Sequence, residues 1–355
     1  MLARVNTLRE LLKENGLDAA FITGLTGIRY YSGFTSEDAY LIVTNKKAYL
    51  LTDFRYTIQA KEQSPDFELV EVGRGALMST IKEILSGEGA VLVGFDEQAM
   101  TVADYNKYLE LGFTFKPFSD VMHSPRLYKT EEEVECLYKA QQLADKAYSE
   151  LLRRIGSGMT EKEVAAELDY IGAKLGSEGP SFETIVGSGP NGAMCHAVPG
   201  ERRLTKGDLV VVDFGCMYNG YHSDMTRTFA VGEVDDLSKR VYDTVLRAQL
   251  AALDALKDGV TGKDLHNTAL AVIDAAGCGS CFGHGLGHGF GLRIHEAPSA
   301  SPLSKDTLKA GMTITVEPGI YLEDKCGVRI EDCCLVTGTG YRNFVSSPKE
   351  LLYIK

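Results

Sequence analysis

The 355-residue sequence predicts an α/β (α+β) protein in which a smaller α/β domain precedes an internally duplicated domain with a pseudo-two-fold axis. Three observations carry this prediction. Gly207-Asp-Leu-Val-Val-Val-Asp-Phe-Gly215 and Gly311-Met-Thr-Ile-Thr-Val-Glu-Pro-Gly319 are two copies of one pattern; Gly207 and Gly311, Asp213 and Glu317, and Gly215 and Gly319 each stand 104 residues apart. Two further matches follow the same order. Gly158-Met-Thr160 pairs with Gly259-Val-Thr261 at a spacing of 101, and His196-Ala-Val-Pro199 pairs with His295-Glu-Ala-Pro298 at 99. Residues 1–125, by contrast, alternate helical and strand patterns and carry no catalytic cluster.

The elements follow in order. Leu8, Leu11, Leu12 and Leu17 mark an amphipathic helix and its exit, and Ala19–Ile22 reads as a strand. Tyr40–Thr44 and Ala48–Thr52 flank Asn45-Lys-Lys as a hairpin, and 90–95 is another strand. A break near Ser124-Pro125 sets the domain boundary, giving domains 1–125 and 126–355. Thr130-Glu-Glu-Glu133 is a capping box that opens a long helix over 131–155. Thr160 and Thr261 are N-caps, each following a long helix (131–155, 237–257) and opening another (161–175, 262–276). Each half therefore reads helix, helix, His-x-x-Pro, then a strand ending in an acid.

Charge and cysteine content narrow the function. The net charge of −12, with no dense Lys/Arg stripe, argues against nucleic acid as a partner. No apolar run approaches the ~20 residues that span a bilayer, so no membrane partner is expected and a cytoplasmic location is the default. The eight cysteines do not form a secreted disulfide scaffold. Cys278 and Cys281 make a C-x-x-C without a second copy at finger-like spacing, so reduced thiols are expected rather than a zinc or redox site.

A carboxylate that ends a buried apolar run is costly unless its charge is offset. Asp213 and Asp224 lie on either side of Asn219-Gly220, a strong hairpin turn. With that turn, Tyr218 pairs with Tyr221 and Asp213 with Thr226. Asp224, two residues from Thr226, then faces the same way as Asp213, within reach of a shared ion. In the second half Thr313–Glu317 is a strand and Gly327–Asp332 its return, with Glu317 and Glu331 able to face one side. Between the halves lies Phe282-Gly-His284-Gly-Leu-Gly-His288-Gly-Phe-Gly291, whose glycines disfavour helix. In an extended chain His284 and His288 point to the same side. Four carboxylates and an imidazole favour two divalent ions about 3.5–4 Å apart, Mn²⁺ first, with Co²⁺, Fe²⁺ or Zn²⁺ as alternatives.

These motifs (Val-Asp213-Phe-Gly, Ser223-Asp224-Met-Thr-Arg-Thr, His284-Gly-Leu-Gly-His288-Gly, Val-Glu317-Pro-Gly and Val-Arg329-Ile-Glu331-Asp) resemble the pita-bread metallopeptidases, in the Xaa-Pro aminopeptidase and Xaa-Pro dipeptidase (prolidase) branch. The resemblance covers the whole chain, with a creatinase-like N-terminal domain over 1–125 and a pita-bread catalytic domain over 126–355. It implies that Asp213 chelates one metal, that His288 and Glu317 bind the other, and that Asp224 and Glu331 bridge both. It also implies catalytic roles for His196, His295 and Glu317, and substrate or supporting roles for His284, Tyr321 and Arg329. Arg293 stands where relatives often carry an acidic or neutral residue; it either reaches the pocket to bind a carboxylate or is solvated.

The implied activity is hydrolysis of the Xaa-Pro bond at the N-terminus of short proline-containing peptides, as in an Xaa-Pro aminopeptidase. The alternative is a dipeptidase restricted to Xaa-Pro dipeptides. A non-catalytic pita-bread binding protein and a creatinase-like C–N hydrolase are the remote readings, both disfavoured by the complete ligand set. Relatives with this N-terminal domain lead to the expectation of a homodimer.

Overall fold

The apolar run Ala19–Ile22 (β1) is buried at every position and becomes an inner strand of a six-stranded sheet. In the computed structural model, which describes residues 1–355, that sheet belongs to the first of two units, Met1–Arg126 and Leu127–Lys355. Its other strands are Ala39–Thr44 (β2), Ala48–Thr52 (β3), Glu68–Glu71 (β4), Leu92–Phe95 (β5) and Thr114–Pro117 (β6), in the order β4-β3-β2-β1-β5-β6. The hairpin β2–β3 forms as expected, with Val43 opposite Ala48. The strand expected over 90–95 begins only at Leu92, because Asp18 takes the Val91 and Leu92 amides on one carboxylate oxygen, each at 2.8 Å. Six helices connect or cover the strands: Leu2–Glu14 (α1), Leu25–Ser32 (α2), Thr57–Gln63 (α3), Leu77–Gly87 (α4), Val102–Leu109 (α5) and Ser119–His123 (α6). Phe21, Ile42, Leu51 and Val93 lie in one buried cluster at the sheet.

The second unit opens with the helix Glu131–Leu151 (α7), which Thr130 and Glu133 start with a reciprocal capping box. It stops four residues short of expectation. The Arg154 amide turns to Leu151 in a tightened last turn, and the chain leaves through Gly156. Thr160 caps Glu161–Leu175 (α8), and Thr261 caps Gly262–Ala275 (α10), which follows Asp236–Ala255 (α9). The same two-helix frame thus occurs twice. A matching bridge joins each cap to the chain beyond it, Thr160 to Arg203 and Thr261 to Thr307.

The first half's sheet contains Ile185–Ser188 (β7), Leu209–Phe214 (β8) and Met225–Val231 (β11), with Tyr353–Ile354 as its edge. Between β8 and β11 a ribbon of Met217–Tyr218 (β9) and Tyr221–His222 (β10) closes on Asn219-Gly220, with φ of +48° and +70°. Two consecutive left-handed residues are what a two-residue hairpin turn needs, and Asn-Gly supplies them at least cost. The register is the expected one, Tyr218 opposite Tyr221 and Asp213 opposite Thr226.

The second half pairs Gly287–Gly289 (β12) with Glu296–Ala300 (β13). Thr313–Val316 (β14) pairs with Asp332–Val336 (β17), and Gly319–Leu322 (β15) with Cys326–Arg329 (β16). Tyr341–Asn343 (β18) extends the first of these sheets, and Tyr353–Ile354 is β19. Val316 faces Asp332 and Gly319 faces Arg329, so one register runs through both ladders and sets Glu317 opposite Glu331.

The halves meet along β11 and the β16–β17 strand. The Glu331 amide donates to the Thr226 carbonyl at 3.1 Å, and the Thr228 hydroxyl donates to the Arg329 carbonyl at 2.9 Å. Arg227 and Asp332 stand at equivalent places in the two ladders and pair with each other at 2.8 Å. Equivalent positions that touch lie on the axis relating the halves. Both are buried, and Asp332 also accepts from Gln249, Asn343 and Lys349. Saturated hydrogen bonding is what makes a buried charge pair tolerable.

Candidate metal centre

Every residue to which the resemblance assigns a metal, catalytic or substrate role lines one cavity of about 300 Å³ in the second unit or, as Tyr321 does, contacts its lining. Asp213 enters from the end of β8, Asp224 from the residue before β11 and His288 from β12. Glu317 follows β14 and Glu331 precedes β17. His196 and His295 also line the cavity, from irregular chain after β7 and before β13, with His284 and Arg329. Tyr321 contacts both of the last two from behind.

Asp224, His288 and Glu331 have ligand atoms within 4.8 Å of one another. His288 Nε2 is 3.6 Å from Asp224 Oδ2 and 3.4 Å from Glu317 Oε1. His288 Nδ1 sits 3.1 Å from the Gly289 carbonyl, so it carries the proton and Nε2 presents a lone pair. Burial and the neighbouring His295 hold its pKa down to about 4, which leaves the ring neutral. A neutral imidazole facing carboxylate oxygens is therefore no ion pair. Separations of 3.4–3.6 Å instead match donors around one ion with bonds of about 2.1 Å. The backbone carbonyl that orients Nδ1 is the usual partner of a ligating histidine.

The carboxyls tell the same story. Burial, then the charges of Glu331, Asp213 and Glu317, pushes Asp224 well above the usual carboxylate range. Glu331 rises for the same reasons, burial first and then Glu317 and Asp213. Glu317 is pushed by burial to about 8, against the opposing Arg329 charge. Acids this close cannot all ionise unless a cation joins them. Asp213 Oδ1 is buried and without a hydrogen-bond partner, an open acceptor at the cavity wall. The residues present fit a divalent metal, and Asp213 is placed to extend the cluster towards a second ion.

Arg329 organises the floor. It pairs with Asp213 Oδ2 at 2.5 Å, and donates to the Tyr321 hydroxyl at 2.8 Å, the Cys195 carbonyl at 3.1 Å and Thr226 Oγ1 at 3.0 Å. Tyr321 in turn meets His284 Nε2 at 2.9 Å. His284 Nδ1 lies 2.7 Å from the Gly285 carbonyl, so the tyrosine hydroxyl is the donor to Nε2. Burial holds His284 at about 4, also neutral. The expected common side for His284 and His288 does not come from an extended strand, since β12 covers only Gly287–Gly289. His284 turns to Tyr321 and His288 to the carboxyls.

Sequence reasoning missed several contributors. Thr226 Oγ1 donates to Glu331 Oε2 at 2.7 Å, and Thr315 Oγ1 to Glu317 Oε1 at 3.1 Å. Their places beside the acids in the hairpins are the only signal. Phe182, Ile185 and Ile294 give the cavity apolar wall, and nothing local in the sequence marks them. Arg293 is exposed and outside the lining, but its charge, after burial and His196, helps to lower the pKa of adjoining His295. All eight cysteines are free, and Cys278 and Cys281 lie apart from the metal cluster. No helix is long and apolar enough to cross a membrane.

Comparison with known proteins adds the following. Residues 135–338 match the model of metallopeptidase family M24, and residues 4–128 match the creatinase/prolidase N-terminal domain. A protein of Pyrococcus furiosus named Xaa-Pro dipeptidase is 37% identical, over 99% of this chain and 100% of its own. The structure of an Xaa-Pro dipeptidase from Bacillus anthracis superposes with a TM-score of 0.97 at 38% identity, covering 99% of both chains. That of an X-Pro aminopeptidase from Thermotoga maritima gives 0.91 at 36%, covering 96% of this chain and 98% of that one.

Proposed function

Because the chain belongs to metallopeptidase family M24, with a mixed α/β pita-bread fold and a creatinase-type N-terminal domain, we propose that it is an Xaa-Pro dipeptidase (prolidase). The sequence alone favoured the aminopeptidase. The dipeptidase reading is preferred because full-length relatives bear that name, and because of one feature of the site. The cavity, at about 300 Å³, is at the small end for ligand pockets, and the exposed cation Arg293 adjoins its lining residues Ile294 and His295. A dipeptide ends in a carboxylate just past the proline, where such a cation attracts it.

Asp213, Asp224, His288, Glu317 and Glu331 would hold two divalent ions, with Mn²⁺ first for so oxygen-rich a donor set. Bound there, the ions would supply Lewis-acid activation of water and of the peptide carbonyl. The chain's own groups do the rest. Glu317, at the cavity between the carboxyl cluster and His288, is placed to take a proton and pass it to the departing proline nitrogen. His196 and His295 flank the scissile bond and donate hydrogen bonds to its carbonyl. The apolar wall at Phe182 and Ile185, with His284, receives the prolyl ring. An Xaa-Pro bond offers no N–H, so a pocket that selects by shape suits it. Arg329 keeps Asp213 and Tyr321 in place.

The deciding experiment compares hydrolysis of an Xaa-Pro dipeptide with that of Xaa-Pro-Yaa by the Mn²⁺-loaded protein and by Arg293→Ala. The dipeptide should be preferred, and the substitution should raise its KM by about fivefold, the scale of a partly exposed ion pair, leaving the tripeptide unaffected. Preference for the tripeptide would return the aminopeptidase reading.

A further inference from the structure

Glu161 is the first residue of α8 and is wholly buried, yet it belongs neither to the metal cluster nor to an ion pair with a direct hydrogen bond. Its carboxylate accepts the Ser188 amide at 2.8 Å and the Ser188 hydroxyl at 2.7 Å. It accepts Asn191 Nδ2 at 3.1 Å and the Gly200 amide at 3.1 Å. Every donor lies on the segment 188–200, at both its ends, and that segment carries His196. The backbone of α8 adds to this grip, since the Glu161 amide donates to the Arg202 carbonyl at 3.0 Å and the Lys162 amide to Gly200 at 3.2 Å. Arg202 completes the shell by donating to Ser188 Oγ at 2.6 Å.

Such an arrangement has a physical reason. Beyond the short 3₁₀ turn at Gly189–Ala193, the chain has no strand or helix until β8. Met194, His196 and Val198 are exposed, so little apolar burial holds the segment; Ala197 is its one well-buried apolar side chain. The counterpart histidine needs no such device. His295 runs directly into β13, whose ladder with β12 fixes the chain. The residue equivalent to Glu161 there is Gly262, against which the Ser299 carbonyl packs so closely that a Cβ would lie 2.0 Å from it.

We propose that Glu161 is a positioning residue, which holds the His196-bearing segment against the cavity so that His196 can meet substrate. The proposal rests on the reading of the cavity as a peptidase site, so the test separates the two. Wild type, Glu161→Gln, His196→Ala and the double variant are compared in kcat and KM on an Xaa-Pro dipeptide after Mn²⁺ loading. Amide hydrogen exchange over 188–200 is followed in parallel. Glu161→Gln should lower kcat by roughly 10- to 100-fold, the range expected for misplacing a reacting group, with KM little changed. It should cost nothing further in the His196→Ala background, and exchange over 188–200 should quicken. Asn191→Ala, a milder cut in the same clamp, should shift both readouts the same way by less, which keeps the test open if Glu161→Gln folds poorly. Losses that multiply in the double variant, an unchanged kcat, or unchanged exchange would each overturn the assignment. Wild-type protein inert on Xaa-Pro dipeptides would refute the dipeptidase reading instead, and exchange alone would then decide the clamp.

Discussion

The two halves of the second unit share a scaffold and differ in charge where it matters. Asp213 and Glu317 end equivalent strands. Opposite Asp213 stands Thr226, and opposite Glu317, in the continuing register, stands Glu331. Two residues nearer each turn the contrast reverses: the first half places Asp224 across from Gly215, whereas the second places Arg329 across from Gly319. Arg329 then reaches over the axis to Asp213, and Thr226 reaches over it to Glu331. Duplication supplies a repeated frame of strands, and substitution at matching positions builds one asymmetric site from it. A strictly symmetric site would carry either acids or arginines in both places; neither could hold cations and also keep its acids balanced.

The largest effect should come from removing the acid that the first half lacks. Glu331→Gln should abolish calorimetrically measured divalent-ion binding and lower hydrolysis by roughly 10²–10³-fold, the scale of losing a preorganised electrostatic group. Tight ion binding by that variant would mean that the opposed pair Glu317–Glu331 is not what the second half contributes. Next, Arg329→Met removes the cation that the first half lacks. Asp213 would be left buried and unpaired, and the metal-free protein should lose about 3–5 kcal/mol in denaturant unfolding. A loss below about 1 kcal/mol would show that Asp213 finds another partner, within the range of an exposed pair.

The third effect is in pH. Glu317 has a folded pKa raised to about 8. A raised folded pKa stabilises the fold fully below the unfolded value, about 4.3, and that stabilisation is lost as pH rises through the folded value. Metal-free protein should therefore lose stability between pH 5 and about 8, while a bound divalent ion should flatten the curve and displace protons. Calorimetry at pH 6.5 in two buffers of different ionisation enthalpy measures that release; identical heats in both would exclude it.

How much of this was legible beforehand depended on distance along the chain. Asn219-Gly220 announced its turn, and counting back from it placed Asp213 opposite Thr226 and Asp224 beside them. Side-chain parity is a local property, so a local signal suffices. The second hairpin was legible in outline only, because no comparable two-residue signal set its register. Thr226 was placed correctly in its ladder, but its bond to Glu331 joins strands 105 residues apart and depends on how the halves dock. Glu161 was invisible for the same reason: as a helix's first acid it looks like an ordinary favourable end charge. His284 escaped its expected geometry because glycine on both sides let the chain turn away from the strand.

One contact constrains the future of this sequence as well as its shape. Gly192, in the turn leading to His196, lies so close to Gly327 on β16 that a Cβ on Gly327 would fall 1.7 Å from the Gly192 carbonyl oxygen. Crowding against a side chain can be relieved by trimming the neighbour. Here the neighbour is main chain, which no substitution shortens, so no second change can rescue the first. Position 327 is therefore closed to any side chain while this approach is kept, whereas a Cβ at 192 would meet the Gly327 amide nitrogen at 3.1 Å and ask only a small shift.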